Sequence, residues 1–201
     1  MRLAVLASGF GSNLQAIIDA VEGGKITGRV EVVISDQKDA YALERARRHG
    51  IGAVYINPRH FSGREAFDRE VLTLLQGKNI DLVVLAGYMR LLSPVLVGGF
   101  KGKIMNIHPS LLPSFPGLEG VQQALDYGVK VSGCTVHFVD EGLDTGPVIL
   151  QEAVPVYGQD TAASLQERIH EVEHRLYPRA IQLFIEGKLE IEGRRCFQNE
   201  T

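Results

Sequence analysis

The stretch LAVLASGFGSN, residues 3–13, decides the fold, because a short apolar run passes into a glycine-rich turn that opens a helix. The apolar residues that follow have the spacing of one helical face: Leu14, Ile17, Ile18 and Val21. Such a turn presents free backbone amides and the positive end of a helix dipole to an anion. The sequence therefore predicts a phosphate site at Gly11, Ser12 and Asn13.

The same turn has two other interpretations. The glycines can simply make a tight turn while Ser12 or Asn13 caps the helix. A dinucleotide-binding fingerprint would need a third small residue where Leu14 stands, although Asp36 after the second strand could imitate the acid that binds ribose. The capping alternative stays open, whereas binding of NAD or NADP is disfavoured.

Outward from this stretch, strands and helices alternate. Four further short apolar runs are typical of buried parallel strands: Val30–Ile34, Val54–Ile56, Leu82–Ala86 and Ile104–Ile107. Between the third and fourth strands, Phe67, Val71, Leu74 and Leu75 share a helical face, and residues 62–65 have the form of a capping box that starts a helix at Gly63. The pattern predicts an α/β fold with a mostly parallel open sheet, helices on both faces and a Rossmann-like N-terminal half.

The pattern changes after about Gly120. Val131–Val139 and Pro147–Val154 are typical of longer strands, and the glycine-rich loop Asp140–Gly146 joins them, which predicts an antiparallel extension of the sheet. A last helix is predicted over about residues 162–186, kinked or interrupted by Pro178. Because no repeat or polar linker divides the chain, we expect one domain over residues 1–201.

Composition narrows the class of function. The formal net charge of −3 and a pI near 6.1 make nucleic acid an unexpected partner. Two cysteines, Cys134 and Cys196, form no metal-ligand pattern or disulfide framework, which suits the cytoplasm. No apolar stretch is long enough to span a membrane, so no membrane partner is expected.

A second group of polar residues follows the fifth strand, in Asn106-Ile107-His108-Pro109. Asn106 and His108 are two residues apart and so point to the same side of the strand, at the sheet edge where ligands of open α/β folds bind. Asp144, in the flexible glycine-rich loop, offers a carboxylate to the same space. The alternative is a hydrogen-bonded core histidine beside an ordinary solvated turn. Cys134 is expected in the core, and His137, on the opposite face of its strand, is left out of the catalytic set.

The segment His170-Glu171-Val172-Glu173-His174 matches the H-E-x-x-H pattern of zinc hydrolases. Glu171 would be the general base, and Glu190 or Glu192 the third ligand. Such a short pattern also arises by chance in a chain with six histidines and many glutamates. A charged surface of a helix is therefore the preferred interpretation, with no metal.

Four segments together resemble the folate-dependent formyltransferases, in the branch that acts on glycinamide ribonucleotide. The resemblance covers essentially the whole chain. The segments that carry it are Gly9-Phe10-Gly11-Ser12-Asn13-Leu14-Gln15-Ala16, Ala86-Gly87-Tyr88-Met89-Arg90-Leu91-Leu92-Ser93-Pro94, Asn106-Ile107-His108-Pro109-Ser110-Leu111-Leu112-Pro113 and Leu143-Asp144-Thr145-Gly146-Pro147. The resemblance implies a phosphate-binding half over about residues 1–100 and a catalytic, folate-binding half over about residues 101–201. Glu119 departs from the family pattern, in which several members carry histidine.

The resemblance also implies a role for each matching position. Asn106, His108 and Asp144 would be catalytic, and Gly11, Ser12, Asn13 and Glu173 would bind the phosphate and ribose of the acceptor. The donor, 10-formyltetrahydrofolate, would contact a set that shares Asn106 and Asp144 with the catalytic residues: Arg64, Met89, Arg90, Leu91, Leu92, Asn106, Asp140, Glu141, Gly142, Leu143 and Asp144.

The resemblance implies a formyl transfer in de novo purine biosynthesis. The predicted mechanism is direct attack by the amine of the acceptor on the formyl carbon of the donor. Asn106 and protonated His108 would stabilise the oxyanion, while Asp144 holds His108 cationic and relays protons. A monomer or homodimer is expected. There are three alternative functions. A formyltetrahydrofolate hydrolase usually carries a regulatory domain before the first strand, and an enzyme that formylates initiator tRNA carries a further C-terminal domain. The third alternative is a non-catalytic nucleotide-binding module.

Overall fold

The computed structural model describes residues 1–199, which form a nine-stranded mixed sheet flanked by helices. The five predicted parallel strands are confirmed, with bounds that differ by one or two residues: β1 Arg2–Leu6, β2 Arg29–Ser35, β3 Gly52–Tyr55, β4 Leu82–Leu85 and β5 Ile104–His108. They lie side by side in the order β3-β2-β1-β4-β5. The order reverses at β1, so the loops after β1 and β4 flank the crevice where ligands of such sheets bind.

Within residues 1–199, six α-helices cover the two faces of the sheet, as predicted: α1 Ser12–Glu22, α2 Tyr41–Arg48, α3 Arg64–Gly77, α4 Pro94–Gly99, α5 Gly120–Tyr127 and α6 Ala162–Ile185. A short 3-10 helix spans Pro58–His60. The apolar residues of α1, α2 and α6 form one core cluster with the sheet. Those of α3 and α4 form a second cluster on the other face. The inner strands β1, β2, β4 and β5 are therefore covered on both faces, which explains their continuous apolar sequences, whereas the edge strand β3 is partly exposed.

The antiparallel extension is also confirmed. β6 (Val131–Phe138) pairs antiparallel with β5, and β7 (Val148–Pro155) pairs antiparallel with β6. A hairpin of β8 (Leu189–Glu192) and β9 (Arg195–Gln198), which the sequence pattern did not reveal, completes the sheet because β9 pairs with β7. Its turn contains Gly193 at φ 59°, a left-handed conformation that suits glycine.

One local expectation was wrong, and a second was wrong in part. Helix α3 begins at Arg64 instead of Gly63, and Gly63 is its N-cap without a side-chain hydrogen bond, so Ser62 lies one residue too early to form the capping box. Helix α6 continues through Pro178, so the predicted interruption does not occur, while a kink at Pro178 stays a prediction. Packing outweighs the hydrogen bond that proline removes, because α6 is buried on both sides of Pro178 and the Tyr177 hydroxyl lies 2.9 Å from the carbonyl oxygens of Leu85 and Met105.

Within residues 1–199, no helix is both long and apolar enough to cross a membrane.

Candidate active site

The end of strand β5 carries the two polar residues singled out by their spacing. Met105 and Ile107 pack into the core cluster of α1, α2 and α6, so Asn106 and His108 point to the opposite face of the sheet. Asn106 is partly buried, and His108 is 4% exposed. The alternation of side chains along β5 thus places an amide and an imidazole in one largely buried space.

Asp144 reaches this space from the loop between β6 and β7. Val139 at the end of β6 donates its amide to the carbonyl of Ile104, at the start of β5, so the loop has to fold back along β5. Asp144 takes a left-handed backbone conformation, φ 53°, and its Oδ2 accepts a hydrogen bond of 2.8 Å from the amide of Gly117. Its carboxylate is 10% exposed and lies 3.6 Å from His108 Nδ1. The three predicted catalytic residues therefore meet.

His137, left out of the predicted catalytic set, belongs to the same cluster. It lies opposite Asn106 in the β5–β6 register, and its Nε2 is 3.2 Å from Asn106 Nδ2 and 3.6 Å from Asp144 Oδ1. Its Nδ1 donates to the carbonyl of Phe138 at 2.8 Å, and burial lowers the pKa of the ring. Neutral His137 therefore accepts one N–H of Asn106 and orients the amide, whose second N–H remains for a ligand.

His108 is held by the segment that follows it. Its Nε2 lies 2.7 Å from the carbonyl oxygen of Phe115, which can only accept, so Nε2 carries a proton. Nδ1 then faces the Asp144 carboxylate across 3.6 Å, beyond direct hydrogen-bond length. With Nε2 engaged by the Phe115 carbonyl, Nδ1 is the ring nitrogen that can address a reacting group.

The segment after His108 is itself fixed by the antiparallel extension. The hydroxyl of Thr135, which is fully buried, donates to the carbonyl of Ser110 at 2.7 Å and accepts from the amide of Leu112 at 3.0 Å. The Gln151 amide on β7 donates to the Leu112 carbonyl at 2.8 Å. Strands β6 and β7 thus fix the backbone at Ser110 and Leu112. Through this backbone they also position the carbonyl of Phe115, which follows in the same segment and contacts His108.

The glycine-rich turn after β1 has the form expected of an anion site. Gly11 is the N-cap of α1 in a left-handed conformation, φ 75°, and no side chain caps the helix, which rules out capping by Ser12 or Asn13 in this structure. A Cβ at Gly11 would lie 2.9 Å from the Cβ of Ala42, so α2 packs directly on the turn. The first amides of α1 are left for a ligand.

The turn is linked to α6 through Asn13 and Glu173. Asn13 Nδ2 donates to Glu173 Oε2 at 2.8 Å, and Asn13 Oδ1 has no hydrogen-bond partner within residues 1–199. Glu173 is 3% exposed, and burial raises the pKa of its carboxyl to about 7. The two residues that the resemblance assigns to one substrate are therefore in contact.

The H-E-x-x-H segment lies on α6 beside this link. The rings of His170 and His174 stack with centroids 5.9 Å apart, and His170 Nε2 is 2.7 Å from Gln166 Nε2 and 3.8 Å from Glu173. Within residues 1–199, no three histidine, cysteine or acidic side chains gather as a metal site would require. Glu190 and Glu192 are exposed on β8.

The residues implied for the folate lie in loops at the same end of β4 and in the loop of Asp144. Met89, Leu91 and Leu143 are 61%, 57% and 49% exposed, so their apolar side chains are accessible to a ligand. Leu92, Glu141 and Gly142 belong to the same two loops, and Arg64 is exposed at the start of α3.

Two of these residues also have structural contacts. The Arg90 guanidinium lies 4.6 Å above the ring of Phe67. Asp140 Oδ1 accepts from the Gly142 amide at 3.0 Å and from the Thr145 hydroxyl at 2.6 Å, so it shapes the loop that carries Asp144.

Comparison with known proteins gives consistent matches. The model of the formyl transferase family matches residues 1–181. Phosphoribosylglycinamide formyltransferase of Escherichia coli (strain K12) is 48% identical over 191 residues, 95% of this chain and 90% of that protein. The crystal structure of glycinamide ribonucleotide transformylase 1 from Symbiobacterium toebii is 56% identical, with a TM-score of 0.99 over 100% of this chain and 94% of that chain. Trifunctional purine biosynthetic protein adenosine-3 of Drosophila melanogaster is 48% identical over 188 residues, 92% of this chain but 14% of that protein. The matched residues include both the phosphate turn and the Asn106 cluster.

Proposed function

The chain belongs to the formyl transferase family, and we propose that it transfers a formyl group from 10-formyltetrahydrofolate to the amine of glycinamide ribonucleotide, a step of purine biosynthesis. The observation that carries the proposal is the approach of Asn106, His108 and Asp144 within a nearly dry space at the end of β5. A phosphate turn on the same sheet supplies a site for a phosphorylated acceptor.

The chemical task explains why this cluster suits formyl transfer. 10-Formyltetrahydrofolate supplies an electrophilic formyl carbon, and attack by an amine places negative charge on the formyl oxygen. The free N–H of Asn106 and the Nδ1–H of protonated His108 are the donors for that oxygen. They lie in a site of low exposure, where such donors stabilise charge more than they do in water.

Asp144 has two tasks in this proposal. Its negative charge lies 3.6 Å from His108 and stabilises the imidazolium. From its position between two imidazoles it accepts a proton from the attacking amine and passes it, through water, to the folate nitrogen that leaves as its bond to the formyl carbon breaks. The amide of Gly117 fixes its orientation. His137 is a positioning residue, because it acts on the reaction through the amide of Asn106.

In this proposal the two substrates bind at different ends of the site, the acceptor at the turn after β1 and the donor at the loops that carry Met89 and Leu143. The amides at Gly11, Ser12 and Asn13 hold the phosphate of the acceptor, and Glu173 accepts from its ribose hydroxyls. The exposed Met89, Leu91 and Leu143 cover the pterin of the donor, and Asp140, Glu141 and Gly142 border it with Arg64, Arg90 and Leu92. A flat aromatic ring suits these residues because it would remove their apolar side chains from water.

The remaining parts of the proposal concern the whole chain. It forms one domain, with the phosphate half over about residues 1–100 and the catalytic half over about residues 101–201. It acts in the cytoplasm as a monomer or homodimer, without a nucleic acid or membrane partner and without a metal.

The test is the rate of tetrahydrofolate release from 10-formyltetrahydrofolate, measured with and without glycinamide ribonucleotide and in the presence of a chelator. Release that needs the acceptor and survives chelation is expected. Equal release without the acceptor would indicate a hydrolase instead, and loss of activity on chelation would restore the zinc interpretation of His170 and His174. Absence of release from folded protein would favour a non-catalytic module.

A further inference from the structure

A groove of about 790 Å³ runs between helices α1 and α6, separate from the Asn106 cluster. Its volume lies in the range of sites for small organic ligands. The floor is apolar and made of Ala16, Ala20, Pro178 and Leu183. One end reaches Ser12 and the other extends to Lys25 and Glu186, so most of the groove lies away from the phosphate turn.

The rim of this groove is positive although the protein as a whole is acidic. Four basic side chains line it, Lys25, Arg45, Arg175 and Arg179, against two carboxylates, Asp19 and Glu186, which leaves two positive charges in excess. The chain carries a formal net charge of −3, so this excess is local. A groove of this kind attracts anions.

The two carboxylates of the groove already form hydrogen bonds or ion pairs with neighbouring side chains, while two of its basic side chains form none within residues 1–199. Asp19 accepts from Gln15 at 2.8 Å, and Glu186 accepts from Gln182 at 2.8 Å and pairs with Lys188 at 3.0 Å. By contrast, the side chains of Lys25 and Arg179 make no hydrogen bond or ion pair within residues 1–199. Two free cations match the charge of about −2 that a phosphate monoester carries near neutral pH.

The other basic residues are oriented by the protein. Arg45 donates to the Phe10 carbonyl at 3.0 Å and to Gln15 at 2.9 Å, and Arg175 forms an ion pair with Glu152. His174 also lines the groove, and its Nε2 is buried without a hydrogen-bond partner in the described part of the chain. Because this nitrogen is out of reach of a ligand in the groove, His174 contributes the surface of its ring to the groove wall.

We propose that the α1–α6 groove binds a nucleoside monophosphate, with the base on the apolar floor beside His174 and the phosphate between Lys25 and Arg179. A planar guanidinium and a flexible ammonium are the groups that proteins commonly use for a phosphate. The site uses none of the Asn106, His108 or Asp144 side chains, and only its end at Ser12 adjoins the turn proposed for the acceptor phosphate. Its test therefore needs no catalytic assay.

The experiment is calorimetric titration of the full chain with adenosine 5′-monophosphate at about 0.15 M salt, where charges more than ~8 Å apart are screened. The double variant Lys25→Ala/Arg179→Ala should weaken binding about tenfold or more, because charge-assisted contacts to the phosphate are lost. Ala16→Phe should weaken it similarly by filling the floor without changing charge. The matched control Arg69→Ala/Lys101→Ala removes two exposed cations near α3 and α4 and should leave the affinity within about twofold.

Three results would overturn the proposal. The first is unchanged affinity in both groove variants, which would move the nucleotide to the phosphate turn. The second is inorganic phosphate binding as tightly as the nucleotide, since the floor would then contribute nothing. The third is no binding by folded wild-type protein, with folding checked for every variant by circular dichroism.

Discussion

At the scale of single residues, Asp144 carries the strongest prediction. Asp144→Asn keeps an oxygen to accept from the Gly117 amide but removes the negative charge that faces His108 and His137. We expect kcat to fall by about 10²–10⁴-fold with little change in the KM of either substrate, because the lost interaction belongs to proton transfer and charge stabilisation. Steady-state kinetics of the folded variant measures both constants.

The matched control for this prediction is Asp126→Asn, which removes an exposed carboxylate on α5 that accepts only from Gln122. It should retain wild-type kcat. If Asp144→Asn behaved like this control, the carboxylate would have no part in the reaction and the loop would serve structure alone.

Glu173 gives a prediction about stability. Burial raises the pKa of its carboxyl from the usual 4.5 to about 7, so ionisation is easier in the unfolded chain than in the folded one. Stability is therefore lost as pH rises from about 4.5 through about 7, by at most about 3 kcal/mol. Glu173→Gln should be more stable than the wild type at pH 8, and this advantage should shrink at pH 5.

Urea unfolding at the two pH values measures the difference, with Glu171→Gln, exposed on the same helix, as the control. An advantage of Glu173→Gln that is equal at both pH values would contradict the linkage. Because the carboxylate is also proposed to bind ribose, the variant should show a higher KM for the acceptor.

The residues of the site differ in how far the sequence could predict their positions. The shared orientation of Asn106 and His108 could be predicted from strand periodicity, since side chains two residues apart point to the same face of a strand. The position of Asp144 does not, because its loop folds back along β5 with a left-handed residue at its end. His137 was missed for a similar reason: its place opposite Asn106 depends on the register between β5 and β6, which no local pattern encodes.

At the scale of elements, the phosphate turn can be tested with two glycines. Gly11→Ala forces a side chain into the left-handed region and within 2.9 Å of the Ala42 Cβ, so it should cost about 1–3 kcal/mol and raise the KM of the acceptor. Gly9→Ala is the control, because nothing lies within 4 Å of its added Cβ. Thermal unfolding and acceptor titration distinguish the two variants, and an unchanged KM for Gly11→Ala would argue against the turn as the acceptor site.

The first residue of α5 offers a second test. A Cβ at Gly120 would lie 3.2 Å from His108 Nε2 and 3.0 Å from the Phe115 carbonyl oxygen. Gly120→Ala should therefore displace His108 and lower kcat about tenfold or more, since small misplacements in an active site cost rate.

Gly98→Ala in α4 is the control for this substitution, because its Cβ meets nothing within 4 Å. It should leave kcat unchanged and gain about 0.5–1 kcal/mol of stability. Equal kcat in the two variants would mean that α5 does not position His108.

The elements themselves were predictable where burial dictates the pattern. The inner parallel strands are apolar because both of their faces are covered, and the helices show one apolar stripe. The β8–β9 hairpin was missed because most of its residues are exposed and leave no continuous apolar run. The start of α3 was misplaced because Gly63, without a side chain, is the N-cap.

At the scale of the whole molecule, the sheet separates two tasks. Asn13 and Glu173 join α1 and α6 on one side, while Asn106, His108 and His137 point to the other face beside the loop of Asp144. The proposed transfer needs both, since an acceptor held by its phosphate would have to bring its amine to the proposed donors at the end of β5. The overall topology was foreseeable from strand–helix alternation, whereas the meeting of these residues depends on tertiary contacts.

The most direct test of this account is the fate of a ¹³C-labelled formyl group. The wild-type protein is incubated with labelled 10-formyltetrahydrofolate and glycinamide ribonucleotide, and carbon NMR follows the label. We predict that the label appears as a formamide on the glycinamide ribonucleotide product and that Asp144→Asn slows its appearance while Asp126→Asn does not. Label that accumulated as free formate, at a rate independent of the acceptor, would contradict the account.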